Sequence, residues 1–452
     1  MIGRSANIWA TGWKPAPHIL VIQMTVRLAI AILAGLTVVG CRTNAGCPPD
    51  KACLRYMAWG NPEQLAAEQN VVDKFNRQNP DLFVSLFTVP SSSYQQKAVL
   101  MLASRTAPDV MRIDHYNYPM MQPKGYFRDL TDFAKNDPTF HESDYFPTAI
   151  AECKIGNRLY GLSTLYGGII LYYNKTLMRQ AGLEDPYEVY KRGDWTWNRM
   201  REYAKKLTHF ENGRAKTFGL NVPSFPANAV AIWNMGGDFL SPDMKHCVVD
   251  SEGTVRGYQF LADLIWKDHV APSPSQAANS AFAFESGKVG MTFDFMGMVP
   301  SYRQKAKDFE WDVCPPPRGD GPLVDVVKGN QLIMSANCPN PKAAWRFMRF
   351  YTGVEAETEL YAKIRRCFPT RIAVAKSPIY LDGSLPPAHP IAFVQAAEAG
   401  RILPINSRWG EWTQLLNAET DNLMAGRERD ARAVLRRAKE KIDAVLAEDP
   451  GY

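Results

Sequence analysis

Beyond residue 41, this chain of 452 residues has no apolar run long enough to cross a membrane. It has no CxxC pair, and its one His-Cys neighbour pair, His246-Cys247, has no further ligand close by. A structural zinc site is therefore not expected, and nothing else implies a metal or cofactor. Neither GxSxG nor HExxH occurs, which argues against the hydrolases that those motifs mark. Charge of one sign is scarce. The whole sequence carries a net +6; Arg4, Lys14 and Arg27 precede Cys41 with no acid among them, which leaves +3 for the rest. So weak and evenly spread a charge excludes nucleic acid as the expected partner. No short internal repeat and no low-complexity tract is present.

What is present begins with residues 24–41. One arginine, Arg27, precedes an apolar run from Leu28 to Val39. That run matches a signal-peptide core and is too short for a permanent membrane anchor. It ends in Val38-Val39-Gly40-Cys41, which resembles a bacterial lipobox. The resemblance implies cleavage before Cys41 and lipid on that cysteine. Each buried CH₂ of an acyl chain adds roughly 0.8 kcal/mol of membrane affinity, so several chains tether a globular body. Residues 1–23, with Trp13, Pro15 and Pro17, do not look like a signal n-region, and Met24 is the expected start. Residues 1–40 are thus expected to be signal peptide plus extension, and 41–53 a lipid-anchored tether.

There are eight cysteines, seven if Cys41 is acylated, so at least one is unpaired. An exported chain permits disulfides. Cys47 and Cys53 flank a Pro-Pro stretch and can close a small loop. Cys314 and Cys338 can meet if their segments pair. Cys153, Cys247 and Cys367 complete the set, and spacing alone fixes no connectivity.

From residue 54 onward, strand and helix signals alternate. Leu54–Met57 reads as a strand. Asn61-Pro62 reads as a helix N-cap with proline at N1, and Leu65, Val72 and Phe75 continue one apolar face. Leu82–Phe87 is apolar throughout, as a strand buried on both faces would be. A helix follows at Tyr94–Ser104 and a strand at Asp109–Ile113. Later strands are expected at Ile169–Tyr173, Val289–Phe293 and Leu332–Ser335. Helices are expected after Thr196, at Val255–Trp266 and at Pro341–Tyr351. Ala431, Leu435, Ala438, Ile442 and Val445 mark a last amphipathic helix. Such alternation predicts an α/β fold with a parallel sheet, enough for two lobes facing a cleft.

Several segments are similar to the extracellular solute-binding proteins of ABC importers, in the carbohydrate branch that includes maltose-binding protein. Ala107-Pro108-Asp109-Val110 and then Gly125–Thr131 resemble "PDv … G.l.dLt". Tyr160-Gly161-Leu162-Ser163 and Leu171-Tyr172-Tyr173-Asn174-Lys175 resemble "yGlP … lyYNk", with Ser163 in place of the usual proline. Ala181-Gly182-Leu183 and Trp195-Thr196-Trp197 resemble "aGl … tW". Phe284–Met291 resembles "F..GkaaM", and Asn340–Phe347 resembles "nPeaAwef". The order and spacing of these pieces over residues 54–350 are specific; the last hundred residues match loosely.

The resemblance implies a periplasmic-binding-protein-like fold of two discontinuous lobes. Lobe 1 would comprise 54–164 plus 315–352, and lobe 2 would comprise 165–314 plus 353–452. Hinge crossings are implied near Ser163–Gly167, Val313–Pro317 and Thr352–Glu355. It further implies a monomeric, non-enzymatic receptor outside the cytoplasm, on the periplasmic or outer side of the cell membrane. Its partners would be a carbohydrate ligand and the transmembrane subunits of a permease, with membrane contact through the lipid alone.

A neutral sugar packs its ring C–H groups on aromatic faces and offers its hydroxyls to planar polar groups. Trp59 follows the first strand, and Asp114, Tyr116 and Tyr118 follow the Asp109–Ile113 strand. Asp294 and Phe295 follow Val289–Phe293, and Trp409 lies in a late aromatic cluster. Gly329 and Asn330 precede a strand where a ligand can approach the backbone. Tyr94, Tyr166, Trp233 and Arg371 are further candidates. Tyr166 serves equally well as a hinge residue, and Trp59 and Trp233 as core; Asp114 also suits a helix cap. Two other readings stay open. Asp114, Glu285 and Asp294 are carboxylates of the kind a glycosidase pairs. Arg112, Lys328, Arg371 and Arg408 leave room for an anionic solute such as a glycerol phosphodiester.

Overall fold

Strand β6 (Gly161–Asn174) organises the molecule, because two different sets of strands pair with its two halves. In the computed structural model, residues 46–448 are described. The other strands are β1 (Ala52–Ala58), β2 (Leu82–Thr88), β3 (Val110–Ile113), β4 (Lys154–Ile155), β5 (Arg158–Leu159), β7 (His209–Glu211), β8 (Arg214–Asn221), β9 (Val289–Phe295), β10 (Trp311–Cys314), β11 (Asp325–Met334) and β12 (Gly400–Ile402). The main sheet runs β2-β1-β3-β11-β6-β9-β8-β7, with β10 also on β6 and β12 on β11.

The sheet is mixed, not parallel as the alternation suggested. β1 is parallel to β2 and β3, and β8 is parallel to β9. β11 is antiparallel to β3 and β6, and β6 is antiparallel to β9 and β10. Residues 161–168 of β6 face β11, whereas 169–174 face β9 and β10. β11 behaves likewise: Asp325–Val327 pairs with β12 and Gln331–Met334 with β3. Both long strands therefore belong to both halves of the sheet. Between their halves the geometry is irregular. Register shifts between Lys328 and Asn330, and Leu165 takes φ +48°.

Alternation along each strand builds the layers. On β6, Ile169, Leu171 and Tyr173 enter a core shared with Trp197, Met200, Leu220, Met291 and Trp412. Tyr166, Ile170 and Tyr172 enter a second core with Trp311, Val313 and Phe368. On β1, Leu54 and Tyr56 meet Phe75, Phe347 and Tyr351, whereas Met57 meets Tyr94, Met111 and Tyr118 on the other face.

Local signals set most element ends. The helix Pro62–Gln78 starts at Asn61, whose side chain accepts from Gln64 N while Gln64 returns the bond, a full capping box. Thr196 caps Trp197–Leu207 by accepting from Arg199 N, and Trp197, Met200, Ala204 and Leu207 are all buried. Pro341–Tyr351 is helical with the expected bounds. In the last helix, Ala431–Ala447, Leu446 and not Val445 ends the buried face. The helix expected from Tyr94 begins at Ser91. Leu82–Phe87 is not buried on both faces: only Leu82 and Val84 are buried, because β2 is the end strand of its sheet.

Cys47 and Cys53 are both disulfide-bonded. Cys314 and Cys338 do not pair; both are free and buried, one in β10 and one after β11. Cys41 and the apolar segment before it lie outside the described residues. Among the described residues, no helix is long and apolar enough to cross a membrane.

Candidate functional site

Four chain segments converge where β11 changes register. The loop after β3 brings Tyr116, the end of β9 brings Phe295, β11 brings Lys328, and the helix Trp409–Met424 brings Trp409. The rings of Tyr116 and Trp409 stack with centroids 5.2 Å apart and planes 8° from parallel. Lys328 Nζ lies 4.5 Å from the centre of the Tyr116 ring and 5.1 Å from that of Phe295. Trp409 continues into Phe225 and Trp412, at 5.6 and 4.9 Å. Tyr116 and Phe295 keep exposed surface, whereas Trp409 is mostly buried.

A polar group adjoins the rings. Glu152, just after the helix Pro147–Ala151, accepts from Gly329 N at 2.7 Å and from the Ser163 hydroxyl. His115 Nδ1 lies 3.2 Å from the Glu152 carboxylate, and Gln331 Nε2 lies 3.5 Å from the same ring nitrogen. Gly329 permits this arrangement: a Cβ there would stand 2.5 Å from Glu152 Oε1. Two buried atoms in the group lack partners, His115 Nε2 and Gln331 Oε1. An unmet buried polar atom costs about 1–3 kcal/mol, a cost that a ligand hydroxyl removes.

The other sequence candidates are dispersed. Asp114 Oδ1 accepts from Tyr116 N at 2.9 Å, shaping the loop that carries the ring. Trp59 packs on Tyr94, 4.2 Å between centroids, and under the Arg112 guanidinium at 4.3 Å. Tyr94 is buried and donates to Met57 O; Tyr118 is buried and donates to Cys153 O. Tyr166 packs between Phe146 and Phe368 in the junction core. Trp233 is buried beneath Arg401. Asp294 sits one residue from Phe295, so strand alternation turns it to the opposite face, where Tyr302 OH donates to it at 2.7 Å. Burial raises its pKa, and Glu285 adds to the rise. Asn330 is represented by its carbonyl, which accepts from Thr164.

The basic residues sort clearly. Arg112 is buried on Glu68 at 2.7 Å. Arg371 is buried, bonded to Thr352 O, Asp144 and Tyr145. Arg408 reaches Glu411 and the carbonyl of Glu448. Lys328 has no carboxylate partner among the described residues. On its own strand, Asp325 is buried, and burial pushes its pKa up.

Glu152 and Gln331 escape sequence reading. Glu152 meets Gly329 across 177 positions, and no local pattern announces that contact. His115 lies between Asp114 and Tyr116, and a single histidine in a polar loop carries no pattern that marks it.

A family model for bacterial extracellular solute-binding proteins matches residues 59–358. The chain belongs to that family. Among its relatives, an uncharacterized lipoprotein of Streptomyces antibioticus is 28% identical over 342 residues, covering 72% of each chain. The multiple sugar-binding protein of Streptococcus mutans is 23% identical over 330 residues, covering 69% of this chain and 74% of its own. Among solved structures, an ABC substrate-binding protein of Listeria monocytogenes in complex with cycloalternan matches with a TM-score of 0.75 at 22% identity, over 88% of this chain and all of the other. These likenesses establish the two-lobed α/β fold.

Proposed function

We propose that this solute-binding protein is the receptor of an ABC sugar importer. It takes up an oligosaccharide or sugar derivative between its lobes and passes it to the transmembrane subunits of a permease. The observation that carries this reading is the stacked pair of Tyr116 and Trp409. One ring comes from the loop beside the β1–β3 half of the sheet, the other from the core of the β8–β9 half. When the halves part, two aromatic faces become available to the two faces of a sugar ring. β6 and β11 provide the flexing strands, and closure then offers the permease a surface absent from the open form. Relatives support the choice of ligand: one is named a multiple sugar-binding protein, another an arabinooligosaccharide-binding protein.

The receptor is held at the outer side of the cell membrane by lipid on Cys41 and works as a monomer without catalysis. Asp114 shapes the Tyr116 loop by accepting from Tyr116 N, and Asp294, near Glu285, accepts from Tyr302 on the far face of its strand. We take the lobes as 54–164 plus 315–352 and 165–314 plus 353–452. Titration of tryptophan fluorescence with a broad saccharide panel tests the function. A saturable change with at least one saccharide is expected; silence from the whole panel, repeated by calorimetry, overturns it.

A further inference from the structure

Resting on the sugar-capture reading, we propose that the site selects a carbohydrate that carries a carboxylate, as a uronic acid residue does, and that Lys328 holds that carboxylate. The ammonium lies against two aromatic faces, at 4.5 and 5.1 Å, and has no carboxylate partner among the described residues. The acids around it are otherwise occupied. Glu152 serves Gly329, Ser163 and His115. Asp294 serves Tyr302 and Phe295 N, and an oxygen of Asp114 serves Tyr116 N.

A half-buried ammonium leaning on π-faces is partly stripped of water. Separation of Tyr116 from Trp409 to admit a sugar also disturbs the Tyr116 face on which Lys328 rests. An anionic substituent restores the lost interaction with a charge-assisted hydrogen bond. In the group that adjoins Tyr116 through His115, Gln331 Oε1 can accept from a hydroxyl, and His115 Nε2 can serve a hydroxyl in either role. One cation without a carboxylate partner, beside acids already engaged by His115, Gly329 N and Tyr116 N, fits a single carboxylate on a polyhydroxylated ring. A phosphate dianion calls for several converging cations, and Arg112, Arg371 and Arg408 are committed elsewhere.

The test is isothermal titration calorimetry of the detergent-solubilised full chain. The probes are oligosaccharides of galacturonate, mannuronate, guluronate and glucuronoxylan, each beside its carboxyl-reduced neutral counterpart, together with a neutral maltodextrin and arabino-oligosaccharide set. At least one acidic member is expected to bind about 10- to 100-fold more tightly than its reduced counterpart. Lys328→Met abolishes that ratio and Lys328→Arg keeps most of it, both with unchanged melting temperature. Neutral members binding as tightly as the acidic ones, or an acid-to-neutral ratio untouched by Lys328→Met, overturns this proposal and leaves sugar capture standing. No binding by any member of either set ends both.

Discussion

Two cationic regions of this molecule handle charge in opposite ways. At the base of the β1–β3 half, Glu68 is wholly buried and takes Arg112 at 2.7 Å, Arg366 at 2.9 Å and the hydroxyls of Tyr351 and Tyr56 at 2.8 and 3.1 Å. Burial pushes the Glu68 carboxyl up, but the two guanidiniums outweigh it and hold it below the usual range. At the junction of the halves, Lys328 has the Tyr116 hydroxyl and two ring faces but no carboxylate partner among the described residues. A buried charge survives when its partners are all in place. The first region is therefore architecture, complete without a ligand. The second lacks a carboxylate partner, and two buried polar atoms, His115 Nε2 and Gln331 Oε1, have no hydrogen-bond partner in the adjoining group.

The contrast can be broken most forcefully at Glu68. Glu68→Ala strands two buried guanidiniums and is expected to destabilise the fold by about 3–5 kcal/mol in urea denaturation. A loss below about 1 kcal/mol would mean that the cluster is not the support described.

Glu357 offers the next largest effect. It is buried and accepts from the Thr370 hydroxyl and from Arg371 N. Burial is the leading cause of a pKa pushed up to about 7. The folded protein then holds a proton that the unfolded chain releases at lower pH. This contribution to stability is full below the ordinary carboxylate pKa and is lost as pH rises through about 7. The loss is at most about 3 kcal/mol. Denaturation of wild type and Glu357→Gln between pH 4.5 and 7.5 should show the variant gaining on the wild type as pH rises.

Smaller effects sharpen the site side of the comparison. Tyr116→Ala removes one stacking face and should weaken saccharide binding about five- to tenfold, read by calorimetry. Lys328→Met should change unfolding free energy by less than about 1 kcal/mol, because only cation–π contacts and a half-buried bond to the Tyr116 hydroxyl are lost. A large destabilisation there would make Lys328 a second structural charge and erase the distinction.

The same contrast explains what the sequence discloses. Asn61-Pro62, Thr196 and the face Trp197, Met200, Ala204 and Leu207 are local patterns, and the structure follows them. From sequence, β6 is legible only as Ile169–Tyr173, with a hinge crossing expected at Ser163–Gly167. In the fold Gly167 and Gly168 lie inside the strand, and a Cβ on Gly168 would stand 2.5 Å from Val326 O. Sheet direction was misread because antiparallel β11 arrives from far along the chain. In the candidate site, Tyr116, Phe295 and Trp409 are legible as aromatics at strand or helix ends. The contacts of Glu152 and Gln331, and the lack of a carboxylate partner for Lys328 among the described residues, are not legible, since tertiary structure sets them.

The most direct measurement is native mass spectrometry of the protein incubated with the saccharide panel, compared with Tyr116→Ala and Trp409→Ala. The account predicts a one-to-one saccharide adduct in the wild type that is diminished in both variants. A wild type that stays bare with every saccharide, or an adduct equally abundant in all three proteins, would contradict it.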